Sequence, residues 1–296
     1  NGIKSFCRFL NNHFKHNHYD ICHSHIWDLS GIFLGIAKYH NIPCRVIHSH
    51  NTSKAQGRYG LFKGIIRDKI LWNIMRGLIK VSANNYMACS EDAAMWLFPK
   101  SIIRKQNYHV IPNGINLAQF ECQNRNKHNP TEILFAGRLI YQKNPLFALK
   151  AFKEYLKLNP TAHMTMVGSG KMSKEVDEAI NSLKLNSYVH RVPETSDMSV
   201  FYKNADLYLF PSNYEGLGIT LIEAQASGLK CLASTAVPLE SQCGLVEYKP
   251  LSDGHVKWGT YIEEIIETNK EVSFQSLKKF DIKASTKQMY SLYQYK

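Results

Sequence analysis

Short apolar runs rich in branched residues alternate with longer amphipathic stretches from one end of the chain to the other. Runs at 19–24, 44–49, 85–90 and 108–112 read as strands. A second series follows at 132–136, 163–167, 188–192, 206–210 and 230–233, with a weaker run at 245–248. Between them lie segments with helical spacing of apolar residues, among them 145–158, 173–183 and 219–226. Near-continuous apolar strands separated by helices indicate parallel sheets covered on both faces. A polar break at 121–130 divides the two series. The pattern therefore predicts an α/β protein of two doubly wound, Rossmann-like domains facing a cleft. The expected divisions are 1–120, 121–280 and a C-terminal helix at 281–296 packing back toward the first domain. Ligands in such folds bind beyond the carboxyl ends of the strands, where Glu215, Arg138 and His50 would all fall.

The segment 210–228 is the most informative in the chain. Glu215 follows an apolar strand, in a loop made bendable by Gly216 and Gly218, and Glu223 comes eight residues later on a helix that starts near Ile219. The free N–H groups of a helix's first turn make an anion site. Two carboxylates flank that site, so its ligand should offer phosphates to the N–H groups and hydroxyls to the acids. A sugar nucleotide offers both.

This stretch resembles the E-x7-E signature of family-four retaining glycosyltransferases, which have the GT-B fold. Residues 135–145 resemble the family's first strand and loop of the donor domain, and residues 110–116 its hinge segment. The resemblance implies that Arg138 and Lys143 neutralise the donor diphosphate, joined by N–H groups at Gly216, Leu217, Gly218, Thr220 and Leu221. It implies that Glu223 holds the ribose hydroxyls and Glu215 the donor sugar. Forked Arg and point-charge Lys contacts suit phosphate, and charge growing on the leaving group is what they would stabilise. The family's glycine and arginine after the third donor-domain strand are replaced here by Val192, Pro193, Glu194 and Thr195, which leaves base recognition beside Val192 open. Gly218 stands where the family often has proline. Gly168 and Gly170 keep the expected glycines, although such a turn more often only connects strand to helix.

Two H-x-H pairs stand out, His23 with His25 and His48 with His50. Residues two apart on a strand share a face, so neighbouring strands could gather four imidazoles, a possible zinc constellation. Strand-end histidines bonded to backbone or substrate are the preferred reading. The resemblance places His50 against the transferred sugar. No D-x-D motif occurs, so neither a metal nor any other cofactor is expected; the nucleotide sugar is a substrate.

Charge then narrows the partners. The chain has 36 Lys and Arg against 24 Asp and Glu, a formal net charge of +12. Residues 1–117 hold most of the excess, 15 basic against 5 acidic residues. It concentrates between Arg58 and Lys80, where Arg58, Lys63, Arg67, Lys69 and Arg76 interleave with Phe62, Ile66, Ile70, Trp72, Ile74 and Leu78. A basic helix with such residues reads as a surface for anionic membrane lipids, with a half-buried core helix as the alternative. Nucleic acid is disfavoured, because no recognisable module accompanies the patch. The seven cysteines show no C-x-x-C spacing and read as reduced core thiols of a cytoplasmic protein.

Segments 89–98 and 223–231 look like those of enzymes that build bacterial exopolysaccharide or capsule repeat units. The resemblance thus implies a UDP-linked donor, a lipid-linked glycan acceptor and a place at the inner face of the membrane. The family's opening βα units have no counterpart ahead of residue 19, so the first domain is expected to be incomplete. The alternative is a truncated, non-catalytic sugar-nucleotide-binding protein; an epimerase on the same fold is disfavoured by the motifs.

Overall fold

The computed structural model describes residues 2–50, 65–120, 128–268 and 272–293, with the backbone alone over 65–69. It forms two compact units, Asn1–Asn113 with Ser285–Lys296, and Gly114–Ala284.

In the first unit the elements run α1 (Ile3–His16), β1 (Ile21–Ser24), α2 (Ser30–Tyr39), β2 (Cys44–Ser49), α3 (Ile65–Ser82), β3 (Asn85–Ala88), α4 (Glu91–Leu97), α5 (Lys100–Arg104) and β4 (His109–Val110). The four strands form a parallel sheet in the order β1-β2-β3-β4. Burial on both faces explains the continuous apolar reading of β2. Ile47 joins Leu34, Ile79, Ala88 and Phe98 on one side. Cys44 and Val46 join Met87 and Ile111 on the other, under Met289, Leu292 and Tyr293 of the C-terminal helix. Helices α2 and α3 approach closely at Gly31, where a Cβ would stand 2.9 Å from that of Leu78.

The second unit continues with α6 (Leu117–Phe120), β5 (Glu132–Ala136), α7 (Pro145–Tyr155), β6 (His163–Val167), α8 (Ser173–Ser182), β7 (Val189–Val192), α9 (Ser199–Lys203), β8 (Leu207–Phe210), α10 (Ile219–Ala226), β9 (Lys230–Ser234), β10 (Val246–Lys249), α11 (Gly254–Glu267) and α12 (Phe274–Lys278). The last helix, α13 (Ile282–Tyr293), begins here and belongs to the first unit from Ser285 onward. The six strands are all parallel, in the order β10-β9-β8-β5-β6-β7. Counted within the unit this is the doubly wound order 6-5-4-1-2-3, and the direction of winding reverses between β5 and β8. Alternate residues of these two strands enter opposite cores. Ile133, Phe135, Leu207 and Leu209 pack with α7 and α11, whereas Leu134, Ala136, Tyr208 and Phe210 pack with α10. Both units are Rossmann-like α/β assemblies of parallel strands and helices, as the GT-B resemblance implies.

Candidate active site

A doubly wound sheet binds its ligand where the winding reverses, beyond the carboxyl ends of the two strands concerned. Here these are β5 and β8, and the loops that follow them carry the predicted site residues.

The loop after β5 is fixed by close backbone packing. A Cβ at Gly168 would lie 2.2 Å from the Gly137 carbonyl oxygen, and one at Gly170 would lie 2.3 Å from that of Leu139. The backbone of Leu139 donates to Ser169 across this contact at 2.8 Å. The glycines of the 168–170 turn therefore serve loop-to-loop approach. They leave Arg138 exposed, with no carboxylate paired to it among the described residues.

Lys143 and Glu215, read from the sequence as separate ligand contacts, meet directly. Lys143 Nζ lies 2.7 Å from Glu215 Oε1, with side-chain exposures of 13% and 6%. The same ammonium sits 4.6 Å above the Phe210 ring, a cation–π contact. Gln142 Nε2 donates to Glu215 Oε2 at 3.3 Å. The Asn213 backbone donates to the Gln142 carbonyl, and the Asn213 side chain to that of Tyr141. The two loops are thus joined at the point where the sheet reverses.

Helix α10 starts at Gly218, whose φ of +78° is closed to proline and costly for any residue with a Cβ. Proline at this position is incompatible with the backbone as it stands. The Ile219 and Thr220 N–H groups open the helix without backbone acceptors among the described residues, as its first turn requires. Leu217 and Leu221 bury their side chains, so only their backbone could meet a ligand, and the Leu221 N–H already donates to the Gly218 carbonyl at 2.9 Å. The Thr220 hydroxyl lies 3.0 Å from that of Tyr208, which donates to the Ala136 carbonyl. Gly216 shares the loop with Glu215. Val192 closes β7, and its carbonyl accepts from Gly168 N–H at 2.9 Å.

Glu223 lies on the wall of a cavity of about 230 Å³, with Asn116, Gln119, Ser196 and Met198. Its Oε2 accepts from the Tyr202 hydroxyl at 2.9 Å. Burial raises the pKa of this carboxyl, and the bond from Tyr202 opposes the rise. The 110–116 segment contributes Gly114 to Asn116 to the same cavity. A Cβ at Gly114 would stand 2.5 Å from Ile282 Cα, so only glycine lets Ile115 pair with the 280–282 backbone. Gln119, Ser196, Met198, Gln142 and Tyr202 were not singled out by sequence. Only Gln142, adjacent to Lys143, had a sequence position that could have suggested it.

The histidines gather in the first unit. Strands β1 and β2 pair in parallel with His23 opposite Val46, which brings the two H-x-H ends side by side. Ring centroids lie 4.2 Å apart for His23 and His25, 4.1 Å for His48 and His50, and 5.0 Å for His25 and His50. His25 Nδ1 and His50 Nε2 share a hydrogen bond of 2.7 Å. His23 Nδ1 is bonded to the Tyr293 hydroxyl of α13. Burial, then neighbouring imidazoles, lowers the pKa of His48 to about 2, with a weak opposing pull from the Ile111 backbone. The same causes bring His23 to about 3. His50 falls to about 4 through burial and His25, against the Asn113 side chain, and burial lowers His25 as well. All four are neutral imidazoles near pH 7.

Comparison with known proteins places the chain in a family. Residues 119–243 match the model described as glycosyl transferases group 1, and residues 2–119 match glycosyltransferase family 4. EpsF of Bacillus subtilis (strain 168) is 30% identical over 271 residues, which cover 87% of this chain and 69% of that protein. The capsular polysaccharide biosynthesis glycosyltransferase CapH of Staphylococcus aureus is 26% identical over 295 residues, covering 94% and 78%. Among solved structures, HepE of Anabaena in complex with UDP superimposes with a TM-score of 0.73 at 15% identity, covering 96% of this chain and 80% of that one. HepE has also been solved in complex with UDP-glucose, with a TM-score of 0.71. These matches define a class, the glycosyltransferases. Within that class, the chain belongs to the group 1 and family 4 glycosyltransferases, and it is a glycosyltransferase.

Proposed function

We propose that the chain moves a sugar, with retention of configuration, from a UDP-linked donor to a hydroxyl on a growing, lipid-linked bacterial surface glycan. The observation that carries this reading is the join at the sheet reversal, where Lys143, Glu215 and the open start of α10 meet. Arg138, Lys143 and the N–H groups of the first turn supply positive potential where charge accumulates on the departing diphosphate. Glu215 holds Lys143 in place and orients the donor sugar. Glu223 and its amide-lined cavity receive the ribose hydroxyls, with the base beside Val192. His50 is assigned to the transferred sugar, as the family resemblance implies. No double-displacement nucleophile is assigned, because a carboxylate accepting from vicinal hydroxyls gives orientation rather than covalent attack. Diphosphate binding needs no metal ion, since the basic side chains and helix start provide the charge. The complexes of HepE with UDP and UDP-glucose support the donor class, and CapH's name supports a capsule-type glycan.

The basic first unit, through α3, rests on the anionic inner face of the cytoplasmic membrane, where a lipid-linked acceptor is presented. No helix among the described residues is long and apolar enough to cross a membrane.

Calorimetric titration with UDP tests the donor site. Replacing Glu223 with Ala removes a charge-assisted contact of ~1.5–3 kcal/mol, about a tenfold to hundredfold loss of affinity. A chelator in excess leaves the affinity of the parent unchanged. Equal binding by Glu223→Ala and parent contradicts the ribose assignment, and chelator sensitivity contradicts metal independence.

A further inference from the structure

One group of side chains has chemistry that sugar transfer does not use. His23, His25 and His48 each offer a ring nitrogen, and these atoms lie within 4.8 Å of one another. Nε2 of His23 is buried without a hydrogen-bond partner, and neither ring nitrogen of His48 reaches a partner at hydrogen-bond geometry, the Ile111 backbone giving it only a weak polar contact. Buried polar side-chain atoms are normally satisfied, and such a cluster asks for a bonding partner from outside the chain.

We infer that His23, His25 and His48 form a binding site for a zinc-type divalent transition-metal ion. The donor set selects the class of ion. Three imidazoles suit zinc, copper or nickel, whereas magnesium and calcium need oxygen ligands, and the set holds no carboxylate. His23 shows which of its atoms is used. Its Nδ1 is engaged by the Tyr293 hydroxyl, so Nε2 faces the ion, and Tyr293 fixes the ring as outer-shell partners of ligating histidines do. His48 is fully enclosed and its ring lies 5.3 Å from that of His23, nearly parallel at 12°. Zinc–nitrogen bonds of 2.0–2.1 Å set tetrahedral ligand nitrogens about 3.4 Å apart, so the ion must draw the widest pair together through ring rotation. Three protein ligands leave a fourth position open for water or a substrate oxygen. His50 becomes a fourth ligand only if its 2.7 Å bond to His25 is given up.

This departs from the metal-free expectation drawn from the sequence. Its ligands are not the residues assigned to the diphosphate and ribose, Arg138, Lys143, Glu215 and Glu223, although His25 is hydrogen-bonded to His50, which the proposed function assigns to the transferred sugar. Diphosphate binding can therefore remain metal-independent while the first unit carries an ion.

The test is a zinc titration of the full chain, stripped of metal, in competition with a chromophoric chelator. One zinc per chain is expected. His23→Gln and His48→Gln should each weaken it by about a hundredfold, and Tyr293→Phe, an outer-shell change, by about tenfold. His48 is buried, so His25→Gln, at a more exposed ligand, serves if His48→Gln does not fold. Cobalt substitution of the unaltered chain gives a readout without any variant, since a low-coordinate imidazole site produces intense visible absorption. His13, half-buried, and the exposed His16 of α1 provide the control, because histidines near the surface also hold metal weakly. Absence of tight zinc binding, a weak cobalt spectrum, or zinc lost in a His13→Gln/His16→Gln double variant would each overturn the inference. UDP affinity, read separately, is expected to stay the same throughout.

Discussion

Lys143 and Glu215, both singled out in the sequence but not as partners, pair with each other. The ion pair is nearly enclosed, so removing one member strands the other charge away from water. Glu215→Ala should destabilise the second unit by ~3 kcal/mol, the lower end for a broken buried pair. For a unit of this size that is a fall in its melting temperature of roughly 6–12 °C. Adding Lys143→Met, which removes the stranded charge and keeps most of the stem's packing on Phe210, should restore more than half of the loss. Thermal unfolding of the two single variants and the double closes the cycle. Strictly additive losses would mean that the pair is not coupled. Glu215 was legible because a strand, a glycine loop and a helix start form a local pattern that can be read within a dozen positions, and Lys143 through the likeness of residues 135–145 to the family's donor-domain loop. Gln142, Tyr202 and Tyr293 were not, since each acquires its role from a partner at least 20 residues away in sequence. The imidazole cluster was half legible. Period-two spacing places each H-x-H pair on one face, but the β1–β2 register that joins the pairs is a tertiary fact.

Among the elements, the strands at 44–49, 132–136 and 163–167 coincide with β2, β5 and β6. The run at 85–90 overshoots β3 because Ser90 leaves the strand to cap α4, accepting from the Ala93 N–H at 3.2 Å. Helix α3 shows the limit of reading amphipathicity without a fold. Trp72 turns inward against Trp96 and Ile79 is fully buried, whereas Ile70, Ile74 and Val81 are exposed at 56%, 52% and 59%. Arg58, Phe62 and Lys63 lie outside the described residues, as do the side chains of Ile66, Arg67 and Lys69. An exposed apolar row on a basic helix fits an anionic lipid surface, where each basic residue adds ~1 kcal/mol and salt weakens the effect. The protein should co-sediment with vesicles containing phosphatidylserine and not with purely phosphatidylcholine ones. An Ile70→Ser/Ile74→Ser/Lys80→Glu variant should lose this binding and keep its UDP affinity. Sedimentation indifferent to lipid charge, salt and these changes would make α3 an ordinary covering helix.

At the scale of the whole molecule, alternation along the chain revealed two parallel sheets, but not their strand orders. The order in which strands enter a sheet depends on which helix crosses which face, and that is decided by packing. The order mattered for the site, because only the reversal between β5 and β8 explains why loops 72 residues apart, carrying Lys143 and Glu215, converge. The division between units was only approximately legible. The polar break at 121–130 marks a change in pattern, while the compact units separate after Asn113 and again after Ala284, so that α13 returns to the first sheet. The most direct test of the proposed transfer is proton NMR of the product formed from an α-configured UDP-sugar and a polyprenyl-diphosphate-linked glycan. An α-anomeric proton on the newly attached sugar, appearing together with free UDP, is the predicted result. A β-anomeric product, or release of UDP with the sugar attached to nothing but water, would contradict it.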